Sequence, residues 1–156
     1  MVKKKNTTHR LKPFYPMLGF TTNKGLLLDL DKVSYSLALQ IAENFNKKHH
    51  LKGYILNTTS KGNYNIIFNK PLTTTQIHTI AGKVYFYLLS AKGKKTADNF
   101  GLWFILQCVK KSMTVRISPK LSKPEPRIIK MKGKLDQICK QYLETFDLYK
   151  EIYRNT

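Results

Sequence analysis

A short apolar run that ends in two acidic residues constrains this chain more than any other stretch. Residues 25–31 read Gly-Leu-Leu-Leu-Asp-Leu-Asp, and apolar residues at helical spacing follow them. An apolar run after a glycine is typical of a buried strand, so the pattern predicts a strand that leads into a crossover helix. Because side chains alternate along a strand, we expect Asp29 and Asp31 on the same face, about 6.6 Å apart.

Two carboxylates at that spacing allow two interpretations. At the rim of a sheet they can bind Mg²⁺ or Mn²⁺, which take oxygen ligands and bridge to substrate phosphates. Alternatively they are turn or helix-cap residues, because Asp31 directly precedes the helical segment and aspartate is a favoured N-cap. The remaining sequence bears on this choice.

The charge of the chain predicts a polyanionic partner. The sequence has 28 Lys and Arg residues against 9 Asp and Glu, a formal net charge of +19. Such a field attracts nucleic acid, with a membrane surface as the rival partner. No apolar run approaches the roughly 18 residues of a spanning helix, and the N-terminus lacks the apolar core of a signal peptide. We therefore expect a cytoplasmic protein that does not act at a membrane.

The length and the apolar content predict one folded domain. The chain has 156 residues, of which 42% are hydrophobic, enough for a single core over residues 13–156. Residues 1–12 are lysine-rich and are expected to form a basic flexible arm. Cys108 and Cys139 match no metal-binding spacing, and they are either two separate thiols or a disulfide.

Hydrophobic periodicity predicts the order β-α-β-β-α-(α)-β-α after the basic arm. This is the split βαβ order of an α+β, RRM-like or ferredoxin-like sheet with helices on one face and a C-terminal helix. Beyond the first strand, the predicted elements are a helix over 34–50, strands over 51–57 and 63–69, a helix capped at 73–76, a helix over 101–109, a strand over 113–118 and a helix over 134–153. Residues 92–95 are predicted to be a basic loop, and residues 119–126 a proline- and lysine-rich loop.

Alternation in the strand over 113–118 predicts the position of an arginine. Its apolar residues share one face, which must pack against helices, so Arg116 is expected on the opposite face. In the split βαβ order that face also carries Asp29 and Asp31. Arg116 is then either a phosphate ligand or the ion-pair partner of these carboxylates.

Three stretches together resemble the catalytic core of archaeo-eukaryotic primases and prim-pols. They are residues 25–31, residues 59–68 (Thr-Ser-Lys-Gly-Asn-Tyr-Asn-Ile-Ile-Phe) and residues 114–120 (Thr-Val-Arg-Ile-Ser-Pro-Lys), in the order of the family. The resemblance implies an RRM-like palm, a plasmid or viral replication protein, and a catalytic metal on Asp29 and Asp31. It also implies a set of nucleotide- or nucleic-acid-binding residues, namely Ser60, Lys61, Asn63, Tyr64, Asn65, Ser118 and Lys120.

Two departures from the family pattern leave catalysis open. Asn65 stands where the family has a histidine, and no carboxylate lies between Gly101 and Lys120 to act as a third acidic ligand. One interpretation is a DNA primase or nucleotidyltransferase that uses Mg²⁺ or Mn²⁺, with Asp29, Asp31 and Arg116 as catalytic residues.

The other interpretations need no catalysis of that kind. The chain could be a non-catalytic module or accessory replication subunit that binds single-stranded DNA or RNA, with Tyr54, Tyr64 and Phe68 stacking on bases. A rolling-circle initiator is disfavoured, because it needs a His-x-His pair where this chain has Asn63-Tyr64-Asn65. Expected partners are single-stranded or primed DNA, nucleotides and other replication proteins.

Overall fold

The computed structural model describes residues 18–119 and 124–154. The predicted arm over residues 1–12 and the predicted ligand Lys120 lie outside them. The strands are β1 (Gly19–Thr22), β2 (Leu27–Leu30), β3 (Tyr54–Ser60), β4 (Asn63–Phe68), β5 (Met113–Arg116) and β6 (Arg127–Lys132). The helices are α1 (Tyr35–Lys48), α2 (Thr74–Lys92), α3 (Lys94–Lys110) and α4 (Ile138–Arg154).

The strands form two antiparallel sheets. The larger sheet has the order β2-β4-β3-β6, and β1 pairs with β5 in a separate two-stranded sheet. The unit β2–α1–β3 has β4 inserted between its two strands, so the predicted α+β fold of split βαβ type is confirmed. β5 lies beside β2, but it forms its ladder with β1.

Helices cover both faces of the larger sheet. α1 packs on the face that carries Tyr54, whose hydroxyl donates to Glu43 Oε1 at 2.5 Å. α4 packs on the opposite face, where the Asn57 amide hydrogen-bonds to the Tyr142 hydroxyl. Because neighbours directly opposite in a ladder share a face, the cross-strand partners of Asn57 also point towards α4.

Side-chain caps decide where the helices begin. Ser34 caps α1 by accepting from the Leu37 amide at 3.1 Å, so the interpretation of Asp31 as the cap of this helix is wrong. Thr73 and Gln76 form the capping box of α2, as predicted. α4 begins at Ile138 rather than at residue 134, because the buried Asn69 side chain accepts from the amides of Gln137 and Cys139.

Several predicted boundaries are wrong. The strands β1 and β6 were not predicted, and β5 ends at Arg116 rather than at residue 118. The predicted basic loop over 92–95 is a single residue, Gly93, at φ +93°, between α2 and a much longer α3. Glycine adopts this conformation without steric cost, which permits so tight a junction.

The two cysteines are separate thiols. Cys139 is buried and donates to the Ile67 carbonyl at 3.2 Å, while Cys108 lies on α3 with its sulfur 3.5 Å from His78 Nε2. Within the described part of the chain, no helix combines the length and apolar composition needed to cross a membrane.

Candidate functional site

A cleft of about 420 Å³ holds both aspartates of the first motif. We call it the carboxylate cleft. It lies where β2 and β5 are neighbours. No backbone ladder joins these two strands, so side chains fill the space between them. The lining residues are Leu18, Gly19, Asp29, Asp31, Thr59, Asn65, Trp103, Thr114, Val115 and Arg116.

The fold holds Asp29 in a defined position. Asp29 lies directly opposite Asn65 in the ladder of β2 and β4. With its nitrogen turned towards the carboxylate, the buried Asn65 amide donates to Asp29 Oδ1 at 2.8 Å. Leu30 is buried on the other face, and Asp31 is exposed at the end of the strand. The two carboxylates therefore face one cleft, as alternation predicts, and they differ in exposure.

Arg116 enters the same cleft from β5. Its Nη1 donates to the carbonyls of Ser118 at 2.5 Å and Pro124 at 3.0 Å. Burial lowers the pKa of Arg116, and the nearby Asp29 carboxylate acts in the opposite direction. The guanidinium still stays charged, because arginine does not lose its proton in proteins. Arg116 thus contributes positive charge beside the carboxylates and ties together the two ends of the 118–124 segment.

A second cleft, of about 680 Å³, adjoins the first. We call it the basic cleft, because three of its lining side chains are cationic and one is acidic. Lys150 lies over the Phe146 ring, with Nζ 4.5 Å from the ring centre. The lining residues are Thr58, Thr59, Ser60, Lys61, Pro124, Glu125, Pro126, Arg127, Ile128, Phe146 and Lys150.

The two clefts are adjacent, and we call them together the trough. Thr59 lines both of them, and the bond from Arg116 to the Pro124 carbonyl joins a residue of each. The carboxylates of one cleft and the cations of the other therefore lie on the two sides of Thr59.

Three other predicted binding residues support the local structure. Asn63 accepts from the Lys32 amide at 3.2 Å and donates to Ser60 Oγ at 2.6 Å, which braces the β3–β4 turn. The Tyr64 ring packs against Tyr35 at 6.2 Å. Ser118 is fully buried, and its Oγ accepts from the Leu18 amide at 2.7 Å. These three side chains do not line either cleft.

The aromatic residues expected to stack on bases need correction. Tyr54 and Phe68 are fully buried on the face that packs against α1, so base stacking by these rings is excluded. Trp103 lines the carboxylate cleft instead. The sequence gives no signal for this role, because Trp103 stands in an apolar run that is typical of a packing surface.

The carboxylate cleft offers two carboxylates, Asp29 and Asp31, as possible ligands for a metal ion. Among residues 18–119 and 124–154, no group of three His, Cys, Asp or Glu side chains is placed to bind one. Mg²⁺ is usually bound by one or two carboxylates together with waters and substrate phosphates, rather than by an all-protein cage. Two carboxylates from the chain would therefore leave most of the coordination of Mg²⁺ or Mn²⁺ to phosphate oxygens and waters.

No protein-family model matches the chain, and neither a curated protein nor a solved structure is significantly similar to it. The resemblance to primases and prim-pols therefore remains a prediction from the three motifs. A functional assignment depends on the trough and on the charge of the chain.

Proposed function

We propose that this protein acts in the cytoplasm and binds single-stranded or primed nucleic acid along the trough. The observation that carries the proposal is the junction of the carboxylate cleft and the basic cleft at Thr59. A net charge of +19 supplies the long-range attraction for a polyanion. The trough supplies a local path whose two ends differ in charge.

The basic cleft suits the backbone of a single strand. Lys61, Arg127 and Lys150 line it, and cations along a groove are the usual means of following a chain of phosphates. Glu125 is the acidic residue among its lining side chains. The strand path is therefore defined by charge, and we expect binding to tolerate different base sequences.

The carboxylate cleft suits the reactive end of a strand or a nucleotide triphosphate. Two carboxylates repel phosphate unless a cation lies between them, so phosphate enters this cleft together with Mg²⁺ or Mn²⁺. Arg116 offers a planar set of donors to a phosphate oxygen, and Asn65 fixes Asp29 in position.

Metal-dependent nucleotidyl transfer is the activity that this arrangement favours. A bound metal would supply charge neutralisation on the phosphates and activation of the attacking 3′-hydroxyl. Asp29 and Asp31 would hold the ion, Arg116 would bind the phosphate, and Trp103 forms part of the wall of the cleft. The alternative is a non-catalytic accessory subunit of a replication complex, in which the same trough holds the strand without reaction.

Binding is tested with matched triple variants. Fluorescence anisotropy measures the affinity for a labelled single strand of about 20 nucleotides. Replacing Lys61, Arg127 and Lys150 by alanine is expected to weaken binding at least about tenfold, since three phosphate contacts are lost. The control replaces the exposed Lys47, Lys83 and Lys92 of α1 and α2 by alanine, with the same change in net charge. Equal losses in both variants contradict a path along the trough.

Catalysis is tested by primer extension and by de novo synthesis with Mn²⁺ and labelled nucleotides. We expect synthesis by the wild type and none by Asp29→Asn/Asp31→Asn, with strand binding retained. The control, Asp147→Asn/Glu151→Gln, changes two exposed acidic residues on α4. If the wild type binds strands through the trough but synthesises nothing, the protein is the non-catalytic subunit.

A further inference from the structure

An exposed apolar face lies on the hairpin of α2 and α3. Five large side chains on it are between 58% and 76% exposed, and Leu89 is 37% exposed. An apolar patch of this kind on a protein surface marks an interaction site. The five residues are Phe86, Leu102, Ile105, Leu106 and Val109.

The exposed residues of α3 form one stripe. Leu102, Ile105, Leu106 and Val109 follow the spacing i, i+3, i+4, i+7, which places them on one side of the helix. The opposite side packs inward through Ala97, Phe100 and Gln107, which are buried. α3 therefore has a covered apolar side and an uncovered one, and the uncovered side has the spacing of a helix-pairing seam.

The charge distribution distinguishes this face from the rest of the chain. Residues 96–109 contain a single charged residue, Asp98, in a chain with 28 cations. Two copies of a protein with a net charge of +19 repel one another. Contact through the exposed stripe of α3 places few charged residues of that helix at the interface.

A groove on the same face can accept side chains of α3. It encloses about 450 Å³ between α2 and α3, and its lining includes Gly82, Gly101, Leu102 and Ile105. A methyl group added at Gly82 would meet nothing within 4 Å, so the space there is open. Leu106 and Val109 lie further along the exposed stripe and outside the groove. Projecting side chains and a groove that can accept them thus occur on one face. A two-fold interface uses the same surface on both copies, so this surface has to be complementary to itself.

We propose that this face binds a second copy of the chain, with the two α3 helices antiparallel and the two-fold axis between Ile105 and Leu106. Val109 of each copy then lies opposite Leu102 of the other, at the rim of its groove. Lys110 lies opposite Gly101 of the other copy, about 4.5 Å along the axis from Asp98 at 1.5 Å per residue. The acidic residue of this stretch and the lysine that ends α3 then attract one another across the interface once Lys110 Nζ leaves Thr114 Oγ1, to which it donates at 2.9 Å in the single chain.

Sedimentation of the full chain tests the proposal. At about 100 µM protein and about 0.5 M salt we expect a dimer, and raising the salt should strengthen it because repulsion between like charges is screened. Leu106→Glu/Val109→Glu is expected to be monomeric with an unchanged circular dichroism spectrum. The control is Leu148→Glu, which adds a charge at a comparably exposed apolar residue of α4 and should leave the dimer intact.

A charge exchange tests the antiparallel arrangement. Asp98→Lys and Lys110→Asp are each expected to weaken the dimer about tenfold, and the double variant should restore it. Because Asp98 also accepts from the Tyr85 hydroxyl at 2.8 Å, Tyr85→Phe removes that bond alone and should have no effect on association. The proposal is overturned if the wild type is a monomer under all these conditions. It is also overturned if the α3 variants form the dimer as well as the wild type does. A dimer that Leu148→Glu disrupts, or a monomer that binds only a different protein through this face, overturns it as well.

Discussion

Asn65 lies opposite Asp29 on the neighbouring strand, and its amide nitrogen donates to Asp29 Oδ1 at 2.8 Å. On its other side Asn65 pairs with Asn57 of β3, and Asn57 contacts the Tyr142 hydroxyl of α4. A row of polar side chains therefore crosses three strands, from the carboxylate cleft to the C-terminal helix. The orientation of Asp29 is set by the fold before a ligand arrives, which is the preorganisation that a binding or catalytic carboxylate needs.

Asn65→Ala should lower the free energy of unfolding by about 1.5–3 kcal/mol, the range for a hydrogen bond to a charged group. Chemical denaturation measures it. Asn44→Ala is the control, because the exposed Asn44 amide makes only a long bond of 3.4 Å to the Tyr87 hydroxyl. If both variants lose the same small amount, the Asn65 bond does not hold the carboxylate.

The sequence predicts the part of the fold that local patterns determine. Alternation places Asp29, Asp31 and Arg116 around one cleft, and the capping box at Thr73 marks the start of α2. The face of each side chain and the helix cap depend on residues close together in the chain, where helix and strand periods are informative. The approach of Arg116 to the aspartates depends instead on the contact between β5 and β2.

The missed features depend on contacts between distant residues. β6 is an exposed edge strand with two lysines, and it is recognised only through its ladder with β3. The start of α4 depends on Asn69, about 70 residues earlier in the chain. The basic cleft escaped prediction for the same reason, since Lys61, Arg127 and Lys150 come from three separate parts of the sequence.

Gly53→Ala should destabilise the fold severely. Gly53 has φ +109°, and a methyl group there would lie 2.1 Å from the Lys132 carbonyl oxygen of β6. We expect a loss of more than about 3 kcal/mol, because backbone would have to move and β3 would separate from β6. Gly62→Ala is the matched control: its φ is +80°, but its nearest neighbour is the Val33 carbonyl oxygen at 3.7 Å. Similar losses in a denaturation series would show that backbone conformation, and not the close approach, is the cause.

Glu43 should make stability depend on acid pH. Hydrogen bonds from Lys132 and then from Tyr54 hold the pKa of Glu43 below its usual value. A carboxylate with a lowered pKa in the folded state stabilises the fold above its unfolded pKa, near 4.3, and this contribution is lost as pH falls through the folded pKa. Because the Lys132 and Glu43 side chains are 51% and 34% exposed, solvent screens the pair and we expect less than about 1 kcal/mol.

The difference in thermal midpoint between wild type and Glu43→Gln, followed from neutral pH to pH about 3, measures this contribution. The difference should shrink as the pH falls. Glu144→Gln is the control, since among the described residues Glu144 forms an exposed pair with Lys140 alone, at 3.9 Å. A difference between wild type and Glu43→Gln that stays constant over this range is incompatible with the pH dependence.

Salt should weaken nucleic-acid binding in a predictable way. If the trough contacts about five phosphates of a single strand, the logarithm of the binding constant should fall against the logarithm of salt concentration with a slope near −3.5, at about −0.7 per contact. Anisotropy titrations over a range of salt concentrations give this slope. A slope near zero, or no binding at low salt, removes nucleic acid as the partner.

Arg116 can bind ligand phosphate, or it can only brace the fold. Its guanidinium donates to the Ser118 and Pro124 carbonyls and lies in the same cleft as Asp29 and Asp31. If Arg116 binds ligand phosphate, Arg116→Ala should weaken the affinity for a nucleotide or a primed strand by about 1.5–3 kcal/mol. The salt slope should also become shallower by about 0.7, because one phosphate contact is lost.

Arg116→Lys separates charge from geometry. Lysine keeps the positive charge but not the planar donors that reach two carbonyls, so this variant should keep the wild-type salt slope while losing part of the stability. Thermal denaturation and anisotropy are measured on both variants. A lower thermal midpoint in Arg116→Ala with unchanged affinity and slope would show that Arg116 only holds the two ends of the 118–124 segment together. In that case Arg116 is not a ligand for phosphate, and the other described residues that line the carboxylate cleft include no cationic side chain.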